Sequence, residues 1–234
     1  MSTTPTTSVL DQVRTLAPQR PLALGEAYFL AEQQAARLVH LLGISAPHVS
    51  YDKLLELPGI TVKVEPKYRM QHAGLSRYRN GQWLILVDQN DVYGRRRFTL
   101  GHEFKHVIDD PMENILYANL GYGDPQVRQR QVEALCQHFA ACFLMPRDWV
   151  TAAWLNGIHD IYNLASLFQV SVSAMEIRLK KLGMWNAEPE RDVRTFFRVV
   201  ATSPPIRATT NLTHDVNGAI PSTGRSTNQY EHKC

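Results

Sequence analysis

The sequence predicts an α+β domain: a small antiparallel sheet packed on a helical core, followed by a short helical part resembling a helix-turn-helix. Three observations predict it. An Asn80-Gly81 pair separates two β-rich runs, LSRYR and QWLILVD, which is the strongest short-range hairpin signal a sequence offers. The stretch RRRFTLGHEFKHVID reads as a helix from Arg95 to about Asp109. A second helical stretch, VEALCQHFAACFLMP, carries Glu133, Cys136, Gln137, Ala140, Ala141 and Leu144 at i, i+3, i+4, i+7, i+8 and i+11, one continuous face of a helix.

The elements follow in order. Residues 1–24 contain three prolines and read as a loose leader. From Gly25 to Leu42, helix formers carry apolar residues at helical spacing, and Gly43 is the stop. SYDKLLEL is a short helix ending at Pro58-Gly59, and GITVKVEP together with the hairpin runs supplies the sheet. Pro111 ends the 95–109 helix and is expected to push Asp110 out of the right-handed helical region. The second helix runs from about Gln126 to Leu144 and stops at Met145-Pro146. Short helices from Asp148 to Leu182 end at Gly183. Beyond Trp185 the chain is rich in Thr, Ser, Pro, Gly and Asn and is expected to stay unfolded. The organisation expected is a leader (1–24), a core (25–147), a helical part of the same domain (148–186) and a tail (187–234).

Composition excludes several classes. A formal net charge of +3 over 234 residues is too small a bias to argue for nucleic acid or an anionic membrane. No stretch approaches the length of apolar chain that spans a bilayer. The start, MSTTPTTSVLDQV, lacks a basic-then-apolar signal pattern. Cys136, Cys142 and Cys234 show no framework spacing. A reduced, cytoplasmic protein is expected.

The chemistry concentrates in GHEFKH. On a helix, His102 and His106 are four residues apart and share a face, so both imidazoles can reach one ion. Glu103 lies about 100° round, beside such an ion, where a carboxylate can act as general base. A catalytic zinc usually takes a third protein ligand and keeps a position open. Glu133 is the first candidate, because a carboxylate at the end of a packed stripe is costly to bury unless paired or metal-bound. Cys136, about 60° from Glu133 on the helix, is a second. His138, about 140° away, cannot face the same ion together with Glu133. Asp110 is either a further ligand, a hydrogen-bond partner of His106, or a solvated helix end.

RRRFTLGHEFKH, EALCQHFAACFLMP and LASLFQVSVSAMEIRLKKLGMW, in that order, resemble the blocks of the ImmA/IrrE family of metallo-endopeptidases. The resemblance implies a gluzincin-like core with Zn²⁺ (or Mn²⁺) on His102, His106 and Glu133, and Glu103 as catalytic base. It also implies regulatory proteolysis of a bacterial or phage helix-turn-helix repressor, supplied in trans. The chain departs from the family's usual Glu-x-x-Ala-Asn, having Cys136 and Gln137 at the last two positions, and Asp110 stands where many members carry another His. These departures bear on the groups surrounding the ligands.

Further roles are open at this level. Tyr117, Tyr122 and His72 are candidates to stabilise the oxyanion, and Gln137 and Asp110 to support the ligands. Residues 73–79 or 82–88 offer a sheet edge for a substrate strand. In the helix-turn-helix-like segment, Ala165, Val170 and Met175 sit at core-like positions; Val172, Ser173, Ala174 and Met175 are poor base readers, although Arg178, Lys180 and Lys181 could touch phosphate. Direct DNA binding is therefore not expected. The competing readings are a DNA-binding regulator with a structural metal and a repressor-binding module that does not cut.

Overall fold

A computed structural model describes residues 8–50, 52–66, 74–184 and 231–233. In chain order the elements are α1 (Val9–Arg14), α2 (Leu24–Leu41), α3 (Asp52–Leu55), β1 (Ile60–Glu65), β2 (Gly74–Arg79), β3 (Gln82–Asp88), α4 (Tyr93–Asp109), α5 (Glu113–Leu116), α6 (Pro125–Leu144), α7 (Arg147–Leu155), α8 (Ile161–Phe168), α9 (Val172–Leu182) and β4 (Glu231–Lys233). The class is α+β, as the sequence predicts.

The sheet is mixed, a correction to the antiparallel one expected. β2 and β3 form the anticipated hairpin, with Asn80 at φ 54° and Gly81 at φ 79°, the left-handed pair that a tight hairpin turn requires. β1, however, lies parallel to β3, from Ile60 opposite Trp83 to Glu65 opposite Asp88. The order is β1-β3-β2-β4. β3 is therefore interior, and residues 82–88 offer no free edge. Its alternation explains the placement: Trp83, Ile85 and Val87 are all buried in the principal core, while a strand paired on both sides leaves no main-chain group for a substrate. The outer side of β2 is paired with β4, Leu75 opposite Lys233 and Arg77 opposite Glu231. These three residues depart from the expectation that 187–234 stays unfolded; the rest of that tail lies outside the described residues.

α4 and α6 cross at the centre of the molecule. A side chain on Gly101 would meet Ala140 Cβ at 3.3 Å and its Cα at 3.4 Å, so the two small residues set how closely the helices approach. α6 begins as its sequence dictates: the Asp124 side chain accepts from the N–H groups of Gln126 and Val127, and Pro125 takes the first position, where no N–H is needed. α4 ends differently from expectation. Asp110 stays right-handed helical (φ −40°, ψ −49°) and its N–H still donates to His106 O. The helix stops because Pro111 has no N–H to continue the ladder.

Residues 8–24 are also not a loose leader. The Arg14 side chain donates to the carbonyls of Val107 and Ile108 at the end of α4, at 2.7 and 3.1 Å, and Val13 and Leu22 are buried. The principal core runs from Ile85, Phe104 and Phe143 to Leu164, Phe168 and Met175, so the C-terminal helices share the interior of the central pair. Arg97 of α4, only 1% exposed, reinforces this by donating to the carbonyls of Val49, Phe168 and Gln169.

Candidate metal centre

His102, Glu103 and His106 lie on consecutive turns of α4, all buried. The imidazole centroids of His102 and His106 are 5.1 Å apart. Glu133 arrives from the first half of α6, its Oε2 at 3.1 Å from His102 Nε2 and 3.8 Å from His106 Nε2. Gln129, one turn earlier, donates to the other carboxylate oxygen at 2.6 Å and fixes its orientation. Burial by itself raises the pKa of Glu133, but hydrogen bonds and charge from His102 and His106 outweigh it and hold the carboxyl well below the ordinary range. One carboxylate oxygen thus faces two imidazole nitrogens.

This donor set fits a divalent cation. Two imidazoles and a carboxylate, brought by two crossing helices, are a usual catalytic zinc complement. The Cys136 sulfur is also present: a ring nitrogen of each histidine and Cys136 Sγ all lie within 4.8 Å of one another.

Glu103 is completely buried. The start of β2 passes directly over it: a side chain at Gly74 would sit 2.4 Å from Thr99 Cγ2 and 2.7 Å from Glu103 Oε1. The requirement for glycine here is close approach, and it puts the end of the sheet against the carboxylate. No feature of the sequence pattern singled out Gly74.

The other candidates are sorted by their surroundings. Tyr117 is a correction: it is 0% exposed and its hydroxyl donates to Asp109 at 2.5 Å. Burial, then the Asp109 charge, raises its pKa well above the usual phenol value. The same Asp109 accepts from Lys105, which also reaches Gln34 at 2.7 Å. Tyr117 belongs to this buried network, with its hydroxyl already committed. Tyr122 is 91% exposed, on the turn before α6. His72 lies outside the described residues. Gln137 is exposed, on the solvent side of the stripe. Asp110 meets His106 through its main-chain N–H. His138 is turned away, edge-on to Tyr28 at 5.0 Å between ring centroids. Arg178, read above as able to touch phosphate, is 1% exposed and donates inward to Met145 O, Cys142 and Glu32.

The family model of the IrrE N-terminal-like domain, peptidase family M78, matches residues 56–180. The chain belongs to that family. Membership suggests a metallopeptidase, and the matched span contains both α4 and α6. No curated protein matches the sequence. Among solved structures, the chain is similar to a Mycobacterium tuberculosis transcriptional regulator, with a TM-score of 0.55 and 17% identity. The match covers 74% of this chain and 51% of that one, so the chain spans about half the length of the protein it resembles. At that identity the likeness shows the fold alone. Among the described residues, no helix is long and apolar enough to cross a membrane.

Proposed function

We propose that the chain is a zinc-dependent endopeptidase that cuts a helix-turn-helix repressor supplied in trans. The observation that carries the catalytic part is the single carboxylate oxygen of Glu133 set between His102 and His106, with the Glu103 carboxylate buried on the next position of the same helix. His102, His106 and Glu133 would hold the ion. When bound, it would supply Lewis-acid polarisation of the scissile carbonyl and acidify the attacking water. Glu103 takes the proton of that water and returns it to the leaving amine. Its burial beneath Gly74 keeps its oxygens off bulk solvent.

A substrate strand would add along the outer edge of β2, gaining main-chain hydrogen bonds close to Glu103. Positions 75–77 of that edge are paired with residues 231–233, so an incoming peptide must displace them or bind beside them. The choice of a repressor as substrate rests on family resemblance, and the regulator named among similar folds is compatible with it. The inward turn of Arg178 favours a protein substrate over direct DNA contact by α8 and α9.

The test is to incubate helix-turn-helix proteins encoded beside the gene with wild type and with Glu103→Gln, adding Zn²⁺ or Mn²⁺, and to map products by mass spectrometry. Wild type should make one or two cuts, and the variant should keep its metal yet cut about 10² to 10⁴ times more slowly. An unchanged rate in the metal-loaded variant would refute the mechanism. Failure to cut any such protein would refute the substrate.

A further inference from the structure

The second helix of the metal centre presents more than Glu133. Cys136 lies three residues further along α6, and its Sγ is grouped with ring nitrogens of His102 and His106 within 4.8 Å. Around a tetrahedral zinc, with bonds of about 2.0–2.3 Å, ligand atoms sit roughly 3.3–3.6 Å apart. The three donors would draw together to hold one ion. Cys136 is 1% exposed, so the sulfur faces the imidazoles from inside the protein.

We propose that Cys136 is a ligand of the metal centre, its thiolate joining the imidazoles of His102 and His106 that Glu133 also approaches. This rests on the metal-centre reading above and goes beyond its three ligands. On binding, the S–H bond breaks, sulfur keeps the electron pair and bonds the ion, and the proton leaves to solvent; nothing is oxidised or reduced. A thiol that coordinates a divalent cation is deprotonated outright.

Two consequences follow. A thiolate is a soft ligand that selects zinc over the harder Mn²⁺, so Cys136 sets metal preference. With its thiolate bound, Cys136 would also compete with the attacking water for a place at the ion.

The test uses the full chain, metal-free, titrated with Co²⁺ and with Zn²⁺. Wild type should show near-ultraviolet thiolate-to-cobalt charge-transfer absorption. Cys136→Ala and Cys136→Ser should still take up the ion but lose that absorption. Proton release on Zn²⁺ binding should fall by about one per ion. The preference for Zn²⁺ over Mn²⁺ should narrow by about tenfold or more, at the scale of ligand-support changes. A Cys142→Ala/Cys234→Ala variant should retain the absorption, which assigns it to Cys136. Metal uptake by wild type without thiolate absorption would overturn the proposal and leave the His102-His106-Glu133 centre standing. Absorption lost in Cys142→Ala/Cys234→Ala would overturn it equally. Absence of uptake, with His102→Ala indistinguishable from wild type, would bring down the centre and Cys136 with it.

Discussion

α6 carries two clusters of metal-ligating residue types, less than two turns apart, and they have opposite characters. The first is Glu133 and Cys136 facing His102 and His106. The second is His138 and Cys142 with Glu32 of α2, whose potential ligand atoms lie within 4.8 Å of one another. Around the second stand three cations. Arg178 donates to Cys142 Sγ and to Glu32, each at 3.2 Å; Arg147 reaches both Glu32 oxygens at 3.2 Å; Lys181 Nζ is 3.4 Å from His138 Nδ1. Burial, helped by Lys181 and Arg178, pushes His138 down to about 4. Burial also pushes the Cys142 thiol up to about 11, against the pull of Arg178. A divalent ion there would be a fourth cation beside one carboxylate. The two clusters share their residue types; the sign of the surrounding charge separates a candidate metal centre from a pin that ties α2, α6, α7 and α9 together.

The comparison breaks most visibly at Glu32. Glu32→Ala removes the carboxylate from a guanidinium that is 1% exposed, which should cost about 3 kcal/mol at neutral pH, while metal content stays at the wild-type level. Urea denaturation and elemental analysis on the same samples check both halves. The pH dependence follows from the sign of the shift. Burial raises the Glu32 pKa, but the hydrogen bond from Arg147 and the charges of Arg178 and Arg147 bring it below 4.5 overall. Its stabilisation is thus complete above that value and is lost as pH falls through the lower, folded one. The gap between wild type and Glu32→Ala should therefore close in acid, below the ordinary carboxylate range. A gap that widened there would contradict the assignment.

A smaller effect is expected at the other cluster from Gly74→Ala. The new methyl would crowd Thr99 and Glu103, costing on the order of 1–2 kcal/mol in stability. Displacement of the base should slow cleavage by about tenfold to a hundredfold. Metal affinity should hold, since Gly74 approaches Glu103 and not the ligands. Denaturation, turnover and metal titration of one preparation would separate these three outcomes.

What the sequence disclosed was local. His102 and His106 at i and i+4, the Glu133–Leu144 stripe, the Asn80-Gly81 turn and the stops at Gly43, Pro146 and Gly183 depend on neighbours a few residues away, and helical or β periodicity exposes them. The rest depends on distant partners. Arg178 meets Glu32 across 146 residues and Lys105 meets Gln34 across 71. Such charged residues look like surface until the partner that permits burial is known. Arg14 reaches the end of α4 across more than 90 residues, which is why residues 8–24, read as part of a loose leader, are packed. Parallel pairing of β1 with β3 was hidden because a run such as ITVKVE encodes a strand but not its neighbour. Tyr117 could be nominated as a site donor only while Asp109, which accepts its hydrogen bond, was out of view.

The most direct test of the account is metal content after dialysis, compared across the two clusters. Wild type should hold one zinc tightly per chain, His102→Ala and Glu133→Ala should lose it or hold it far more weakly, and Glu32→Ala and Cys142→Ala should retain it fully. Zinc kept by the first pair of variants and lost by the second would overturn the assignment of the centre.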